Sequence, residues 1–570
     1  MSGDRWVSAT WRDTATRVET LAAGLLALRI QPDQRVGIAS STRFEWILAD
    51  LAVMCAGAAT TTVYANTNAT DTAYILKDSE SRLVFAENDD QLAKLVAHRA
   101  DLPDVAKVVV FDGAADGDWV MTLNDLAELG AKYLLEHPEC VKQATEAITP
   151  DRLATLIYTS GTTGRPKGVR LTHEAWVYEG AAVAALGVIG PDDIQLLWLP
   201  LAHSFGKVLV SAQLACGFIS AVDGRVDKIV DNTAVVQPTF MAAAPRIFEK
   251  AHARVVTTQQ ERGGAQWALF SRAFAVGVEV ERRRQAGERV PLMLSAQHAL
   301  FDRLVFAKVR QVFGGRVRFF DSGSAPLNRD IAEWFHAAGL LILEGYGLTE
   351  TAGGAFINLP NRCRLGTVGL PFEGTQARIG DEGEVQMHGP CVMAGYHNMP
   401  DATVEAFTDD GWLRTGDKGA FDADGFLTIT GRIKDIFKTS GGKYIAPSAI
   451  EAKFIALCPY ASQFLVFGEA RNFCVALITL DPDIMADWAA ENGMAGASYG
   501  DLVASQEVHN LIDKCVQQLN AELNRWETIK KWALLDHDLS VERGELTPSL
   551  KVKRAVVAER NKAVIDGFYR

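Results

Sequence analysis

Apolar residues recur three and four apart in TWRDTATRVETLAAGLLAL (10–28) and FEWILADLAVMCAGA (44–58), a spacing that predicts helices. Short β-branched runs, RVGIAS (35–40) and ATTTVYA (59–65), follow them and predict strands. DTAYILKDSESRLVFAEN (71–88) reads as a helix and then a strand. The alternation continues through ATLIYTS (154–160), IQLLWLPLAHS (194–204) and RVRFFDSGSAP (316–326), strand-like runs that each end in a Gly, Ser or Thr loop. Such a chain is expected to form an α/β fold of layered subdomains with mainly parallel sheets. Ligands in open α/β sheets sit at the carboxyl ends of the strands, so these loops are where chemistry is expected.

Two stretches break the rhythm. Residues 250–310 are helical and charge-rich, with EVERRRQAGERVP (279–291) inside them. Arg282, Arg283 and Arg284 form either a solvated helix face or a basic patch for acidic lipid headgroups. From Asp417 the texture changes again, and GRIKDIFKTSGGKYIAP (431–447) is turn-rich and cationic. A boundary near Arg432 to Lys434 therefore divides a large N-terminal domain, residues 1–432, from a smaller α+β C-terminal domain, residues 433–570.

Length supports the division, since 570 residues exceed the roughly 250–300 that one core accommodates. The net charge of −13 argues against nucleic acid as the main partner, because phosphate backbones need clustered Lys and Arg. A nucleotide needs only a local pocket. The eight cysteines include no C-x-x-C pair, as expected of unpaired thiols in a reducing compartment. The polar start MSGDRW predicts no secretory signal, and no apolar run approaches the ~18 residues of a membrane span. The expected location is cytoplasmic, with peripheral contact at the inner membrane face left open. The oligomeric state is not legible.

The most concentrated motif is YTSGTTGRPKGVRLTH (158–173). Thr159, Ser160, Thr162 and Thr163 supply hydroxyls, Gly161 and Gly164 expose backbone N–H groups, and Lys167 adds a cation. Together they suit phosphate oxygens. The spacing is not that of a Walker A loop. FFDSGSAPL (319–327) offers small residues, Gly323, Ser324 and Ala325, against which a flat ring can slide. EGYGLTE (344–350) joins an aromatic face, Tyr346, to Thr349 and to Glu350, a carboxylate suited to Mg²⁺ beside phosphates. GWLRTGD (411–417) ends in Asp417, able to accept from two ribose hydroxyls, with Arg432 close behind. LTPSLKVKR (546–554) places Lys551 near the chain end.

The set, in this order, resembles the adenylate-forming (ANL) superfamily, and within it the bacterial long-chain fatty acyl-CoA synthetases. LPLAHSF (199–205), APRIFEK (244–250), the charged helical insert and LTPSLKVKR carry the closer likeness. The resemblance covers almost the whole chain and implies ATP-dependent activation of a long-chain fatty acid to acyl-AMP, then transfer to coenzyme A. It implies ATP, Mg²⁺ and coenzyme A as cofactors and co-substrates. Thr159 to Gly164 and Lys167 would hold the phosphates, with Thr159 also near the metal. Gly323 to Ala325 and Glu344, Gly345, Tyr346 and Gly347 would frame the adenine. Thr349 and Glu350 would sit at the α-phosphate and metal, and Asp417 with Arg432 would grip the ribose. Lys551 would reach the carboxylate and α-phosphate, and His203 the acyl carboxylate. The C-terminal domain would move about a hinge near 431–436, bringing Lys434, Gly441 and Gly442 to the coenzyme A channel. The acyl pocket is expected between residues 203–217 and the strand before Gly323.

Family members usually carry further residues ahead of a stretch resembling DRWVSATW (4–11), so the resemblance implies a missing first element or a different initiation site. Three rival readings stay open: an acyl-AMP ligase that loads a separate carrier protein, a catalytically dead acyl- or nucleotide-binding homologue, and a luciferase-like oxygenase that gives the acyl-adenylate a different fate.

Overall fold

The computed structural model describes residues 5–159 and 165–570. The first helix, Trp11–Ala27, starts where Thr10 and Asp13 cap each other: the Asp13 N–H donates to Thr10 Oγ1 at 3.1 Å, and the Thr10 N–H donates to Asp13 Oδ2 at 3.0 Å. It packs with the helix Phe44–Cys55 on a seven-stranded sheet. That sheet runs Val120–Thr122, Lys107–Val110, Ser81–Ala86, Arg35–Ala39, Ala59–Val63, Leu153–Thr159 and Lys167–Thr172. All its pairs are parallel except the last.

A second seven-stranded sheet has the order Leu370–Pro371, Phe356–Ile357, Leu341–Tyr346, Phe319–Ser322, Phe240–Ala243, Ile194–Leu197 and Ile219–Val222. Its central and far pairs are parallel, and the two short strands at the other edge are antiparallel. Mainly parallel sheets with helices on their faces are what the alternating pattern predicts. The strand expected over 194–204 is shorter than its apolar run. Pairing stops at Leu197, and Trp198 to His203 form a turn around Pro200, which has no N–H to offer a ladder.

An antiparallel four-stranded sheet, ending in Leu413–Phe421 and Leu427–Arg432, closes this part of the chain. Beyond it a separate apolar cluster gathers Ile445, Phe454, Phe464, Val466, Ile478 and Leu519 around the three-stranded sheet Ala461–Phe467, Cys474–Leu480 and Ile529–Leu534.

The turn at 198–203 is fixed from outside. Thr42 Oγ1 donates to the Leu199 carbonyl at 2.6 Å and accepts from the Leu201 N–H at 3.1 Å. Thr62 Oγ1 donates to the Ala202 carbonyl at 3.0 Å. Thr42 and Thr62 lie in and beside the first sheet, so that sheet holds the start of the helix Ser204–Cys216. One turn into that helix, Lys207 Nζ meets Asp50 Oδ1 of Phe44–Cys55 at 2.6 Å, with side-chain exposures of 3% and 2%. The ammonium also lies 5.7 and 5.2 Å from the Trp46 and Trp176 ring centroids. Burial holds the Lys207 pKa below that of an ordinary lysine, while Asp50 pulls it back up.

Arg282, Arg283 and Arg284 do not form a free basic patch. Arg282 Nε lies 2.9 Å from Glu333, Arg283 Nε 2.7 Å from Glu279, and Arg284 Nη1 3.8 Å from Glu281. Among the described residues no helix is long and apolar enough to cross a membrane.

Asp50→Ala leaves Lys207 buried without its counter-charge. A loss of about 3–5 kcal/mol is expected in urea unfolding, and Asp50→Leu combined with Lys207→Met should recover most of it. An Asp50→Ala loss below about 1 kcal/mol would contradict a dry, paired site.

Candidate active site

Two groups of contacting side chains gather at the ends of the strands Leu153–Thr159 and Leu341–Tyr346. Thr159 ends the strand Leu153–Thr159 and pairs with Lys167, the first residue of the next strand, with Thr159 Oγ1 3.5 Å from the Lys167 carbonyl. The expected phosphate-loop residues Ser160, Gly161, Thr162, Thr163 and Gly164 lie outside the described residues. The Lys167 ammonium sits 4.9 Å from the centroid of the Tyr396 ring. The Tyr396 hydroxyl donates to Glu350 Oε1 at 2.8 Å, and the Met393 N–H donates to the Glu350 carbonyl at 2.9 Å. One line of contacts therefore joins Lys167, Tyr396 and Glu350.

Tyr396 was not singled out from the sequence. It arrives by backbone pairing: Arg170 N–H donates to the Gly395 carbonyl at 3.0 Å and His397 N–H to the Gly168 carbonyl at 2.7 Å. A tyrosine beside a glycine in CVMAGYHN (391–398) is the only local signal.

Tyr346, at the end of Leu341–Tyr346, donates its hydroxyl to Asp417 Oδ2 at 2.6 Å. Arg432 Nε lies 3.2 Å from Asp417 Oδ1, and the two residues are direct partners across the antiparallel pair of Leu413–Phe421 with Leu427–Arg432. Asp417 is 4% exposed. Burial raises its pKa, while Arg432, Tyr346 and Lys551 pull it down.

Lys551 belongs to the C-terminal part of the chain and lies within electrostatic reach of this group while keeping an exposed surface. Partial loss of solvent lowers its pKa, and the Arg432 charge adds to that; Glu350 and Asp417 oppose it. Its loop is held from within: the Lys551 N–H donates to Thr547 Oγ1 at 3.0 Å, and Thr547 N–H donates to the Lys551 carbonyl at 2.8 Å. Leu550 takes φ 62°, a strained value for leucine. Behind the loop Arg554 grips both oxygens of Glu451 at 2.7 Å. Across the cleft Asn66 Nδ2 donates to the Pro548 carbonyl at 2.9 Å.

His203 caps the helix Ser204–Cys216, with Nδ1 accepting from the Phe205 N–H at 3.1 Å. Burial and then Lys551 push its pKa down to about 3. The imidazole is neutral, and with Nδ1 an acceptor, Nε2 carries the proton.

The remaining expected residues divide. Gly323 is buried, whereas Ser324 and Ala325 are exposed, and Ser324 adopts φ 71°. Gly345 and Gly347 lie partly open at the cleft, and Gly347 tolerates no side chain, because a Cβ there would lie 2.3 Å from the Gly353 carbonyl. Glu344 departs from the expected ring-framing place: its side chain is buried, Oε1 has no partner among the described residues, and burial pushes the carboxyl up to about 7. In the parallel register it shares Ser322's face, opposite to that of Gly345. The Thr349 hydroxyl makes no hydrogen bond among the described residues. Lys434 is exposed, and Gly441 and Gly442 lie in an exposed turn. There the Gly442 N–H donates to the Thr439 carbonyl at 2.9 Å. No hydrogen bond, ion pair or ring contact among the described residues joins these three to Lys551, Glu350 or Asp417.

A hard cation has one carboxylate here. Glu350 Oε2 takes no hydrogen bond among the described residues, and no cluster of three acidic, His or Cys ligands exists among them. That set fits Mg²⁺ completed by phosphate oxygens and water, not an all-protein cage.

Residues 1–397 match the AMP-binding enzyme family, and residues 434–570 match the AMP-binding enzyme C-terminal domain. The chain is 38% identical to the long-chain-fatty-acid–CoA ligase FadD15 of Mycobacterium bovis, across 99% of this chain and 92% of that protein. It is 31% identical to fatty acyl-CoA synthetase A of Dictyostelium discoideum, across 99% and 86%. Among solved structures, the anthranilate CoA ligase AuaEII in complex with anthranoyl-AMP overlays with a TM-score of 0.72 at 18% identity, over 98% of this chain and 93% of that one. ATP-bound MatB from Rhodopseudomonas palustris overlays at 0.67 with 24% identity, over 97% and 94%. With both its large and its C-terminal part matched over nearly its whole length, the chain belongs to the AMP-binding enzyme family.

Proposed function

We propose that the chain is an AMP-forming long-chain fatty acid–CoA ligase. The observation that carries this reading is the buried Asp417 held by Tyr346 and Arg432, with Glu350 joined through Tyr396 to Lys167 and the Lys551 charge within electrostatic reach. The named ligases among its relatives support the substrate class.

In the first step a fatty carboxylate oxygen attacks the α-phosphorus of ATP, the bond to the bridging oxygen breaks, and pyrophosphate leaves. Two anions must approach, so fixed positive charge at the meeting point lowers the barrier. Lys551 supplies it from the C-terminal side and Lys167 from the phosphate side. The neutral His203 directs its Nε2–H as a donor without bringing a competing charge. Each Asp417 oxygen has one partner, which leaves lone pairs for ribose hydroxyls. Mg²⁺, held by Glu350 and the phosphates with Thr159 nearby, would neutralise charge on the nucleotide. In the second step the coenzyme A sulfur attacks the acyl carbon and AMP departs. The Ser324 loop and Tyr346 would frame the adenine, with Thr349 beside the α-phosphate. Residues 1–432 and 433–570 would act as two domains about a hinge at 431–436. After rotation Lys434, Gly441 and Gly442 would line the thiol's path. The exposed position of their turn, away from the Lys551 cleft, suits that second arrangement.

We place peripheral membrane contact on the helix Leu292–Phe301 and not on the arginine triad, because Leu292 and Met293 are 90% and 76% exposed. The triad's charges are met by carboxylates. Paired with anionic vesicles, wild type should sediment, and Leu292→Glu with Met293→Glu should abolish this; equal sedimentation would discard the assignment.

Lys551→Ala should lower acyl-AMP formation from ATP, Mg²⁺ and palmitic acid by about a hundredfold or more, read by mass spectrometry. Acyl-AMP that accumulates in wild type despite coenzyme A would instead indicate a carrier-protein acceptor. The His203 pKa near 3 lies below the ordinary histidine value of about 6.5, so its share of stability is lost as pH falls through that interval. NMR of ring-labelled histidine should show a neutral Nε2–H tautomer from pH 8 to pH 5, and a mid-range titration would refute it.

A further inference from the structure

The face of the second sheet that looks toward the helix Ser204–Cys216 is apolar at most positions. Phe319, Phe240 and Leu343 pack there with Ala212 of the helix and, at its edge, Cys216. Parallel register sets Asp321 level with Ala242 and Leu343, two residues beyond Phe319 on the same face. The top of this face is bounded by two glycines: a Cβ on Gly323 would touch the Phe205 ring at 3.4 Å, and a Cβ on Gly345 would lie 3.4 Å from Asp321 Oδ1. Asp321 therefore stands directly beneath the loops of the cleft, between them and a floor of phenylalanines.

Its carboxyl has no hydrogen bond or ion pair among the described residues. Burial pushes it up to about 7, and the residue keeps part of its accessible surface. One step deeper, level with Phe240, Gln195 is fully buried; its amide N–H donates to Ser220 Oγ at 2.6 Å while its Oε1 has no partner. A buried polar group without a partner is costly, and a plain hydrocarbon chain lying here offers it nothing. A hydroxyl both donates and accepts, so it satisfies a carboxyl in either protonation state.

We propose that Asp321 recognises a hydroxyl group on the acyl chain, making the pocket selective for hydroxylated over unsubstituted fatty acids. This rests on the acyl-activating reading above, with the chain lying between this strand and the helix Ser204–Cys216. Asp321 is then a specificity residue: it touches the substrate away from the reacting atoms, so its loss alters preference and leaves nucleotide binding intact.

The test uses the full chain with ATP, Mg²⁺ and coenzyme A, comparing kcat/KM for palmitic acid and its alpha-, beta- and omega-hydroxylated forms. Wild type should prefer at least one hydroxylated form by about tenfold or more. Asp321→Leu, similar in outline and apolar, should erase that preference and raise turnover of palmitic acid. Asp321→Asn should keep part of it, because the amide still hydrogen-bonds. Asp321→Ala replaces the leucine variant if the latter does not fold. Equal use of all four acids by wild type, or a preference unchanged in the leucine or alanine variant, overturns the inference and leaves the ligase reading standing. Failure of wild type to adenylate any of the acids overturns both.

Discussion

The Asp417 carboxylate ties separate parts of the molecule to one point. One oxygen is held by Tyr346 at the end of a parallel strand, the other by Arg432 at the last strand before the C-terminal part. A buried carboxylate is tolerable only when it is this well met. Tyr346 stays at the strand end because Gly347 turns so tightly against Gly353, and Arg432 faces Asp417 because antiparallel register makes them partners. Remove the carboxylate, and the mutually unfavourable charges of Arg432 and Lys551 keep only Glu350 of the two carboxylates that offset them.

A second dependence runs through the turn at 198–203. Thr42 and Thr62 reach from the first sheet to its carbonyls, and the Lys207–Asp50 pair holds the helix that begins there. The position of His203 is thus set by contacts from the first sheet and from the helix Phe44–Cys55. That explains why polar side chains are buried so far from solvent: they fix relative placement, which apolar contacts alone leave free to slide.

Most of the layered architecture was legible, because helical and strand periods differ and the chain keeps each clean. Lys167, Glu350, Asp417, Arg432 and Lys551 read as candidate chemistry because each stands in a short motif that contains glycine, threonine, serine or proline. What sequence does not carry is pairing across distance. Tyr396 reaches Glu350 only because residues 394–397 pair with the strand Lys167–Thr172. Glu451 and Arg554 stand 103 residues apart, and neither reads as anything but a surface charge until the loop folds. Glu344 looked like part of the ring-binding run, yet strand alternation turns it to the other face. Asp321 gave no signal of its own in the sequence, because only the strand register shows which face it takes.

The Lys551 loop owes its shape to its own neighbours: Thr547 within it and the Arg554–Glu451 clasp behind it, while the Pro548 carbonyl accepts from Asn66 of the large N-terminal part. Under the two-domain arrangement proposed above, it is a ready-made tool on a detachable handle. Should that handle swing away, the tool leaves with its edge intact, and what must be regained on return is alignment and not form. The cycle time of such a machine is then governed by how often two finished surfaces find each other, a matter of diffusion and orientation, while the lysine waits already set.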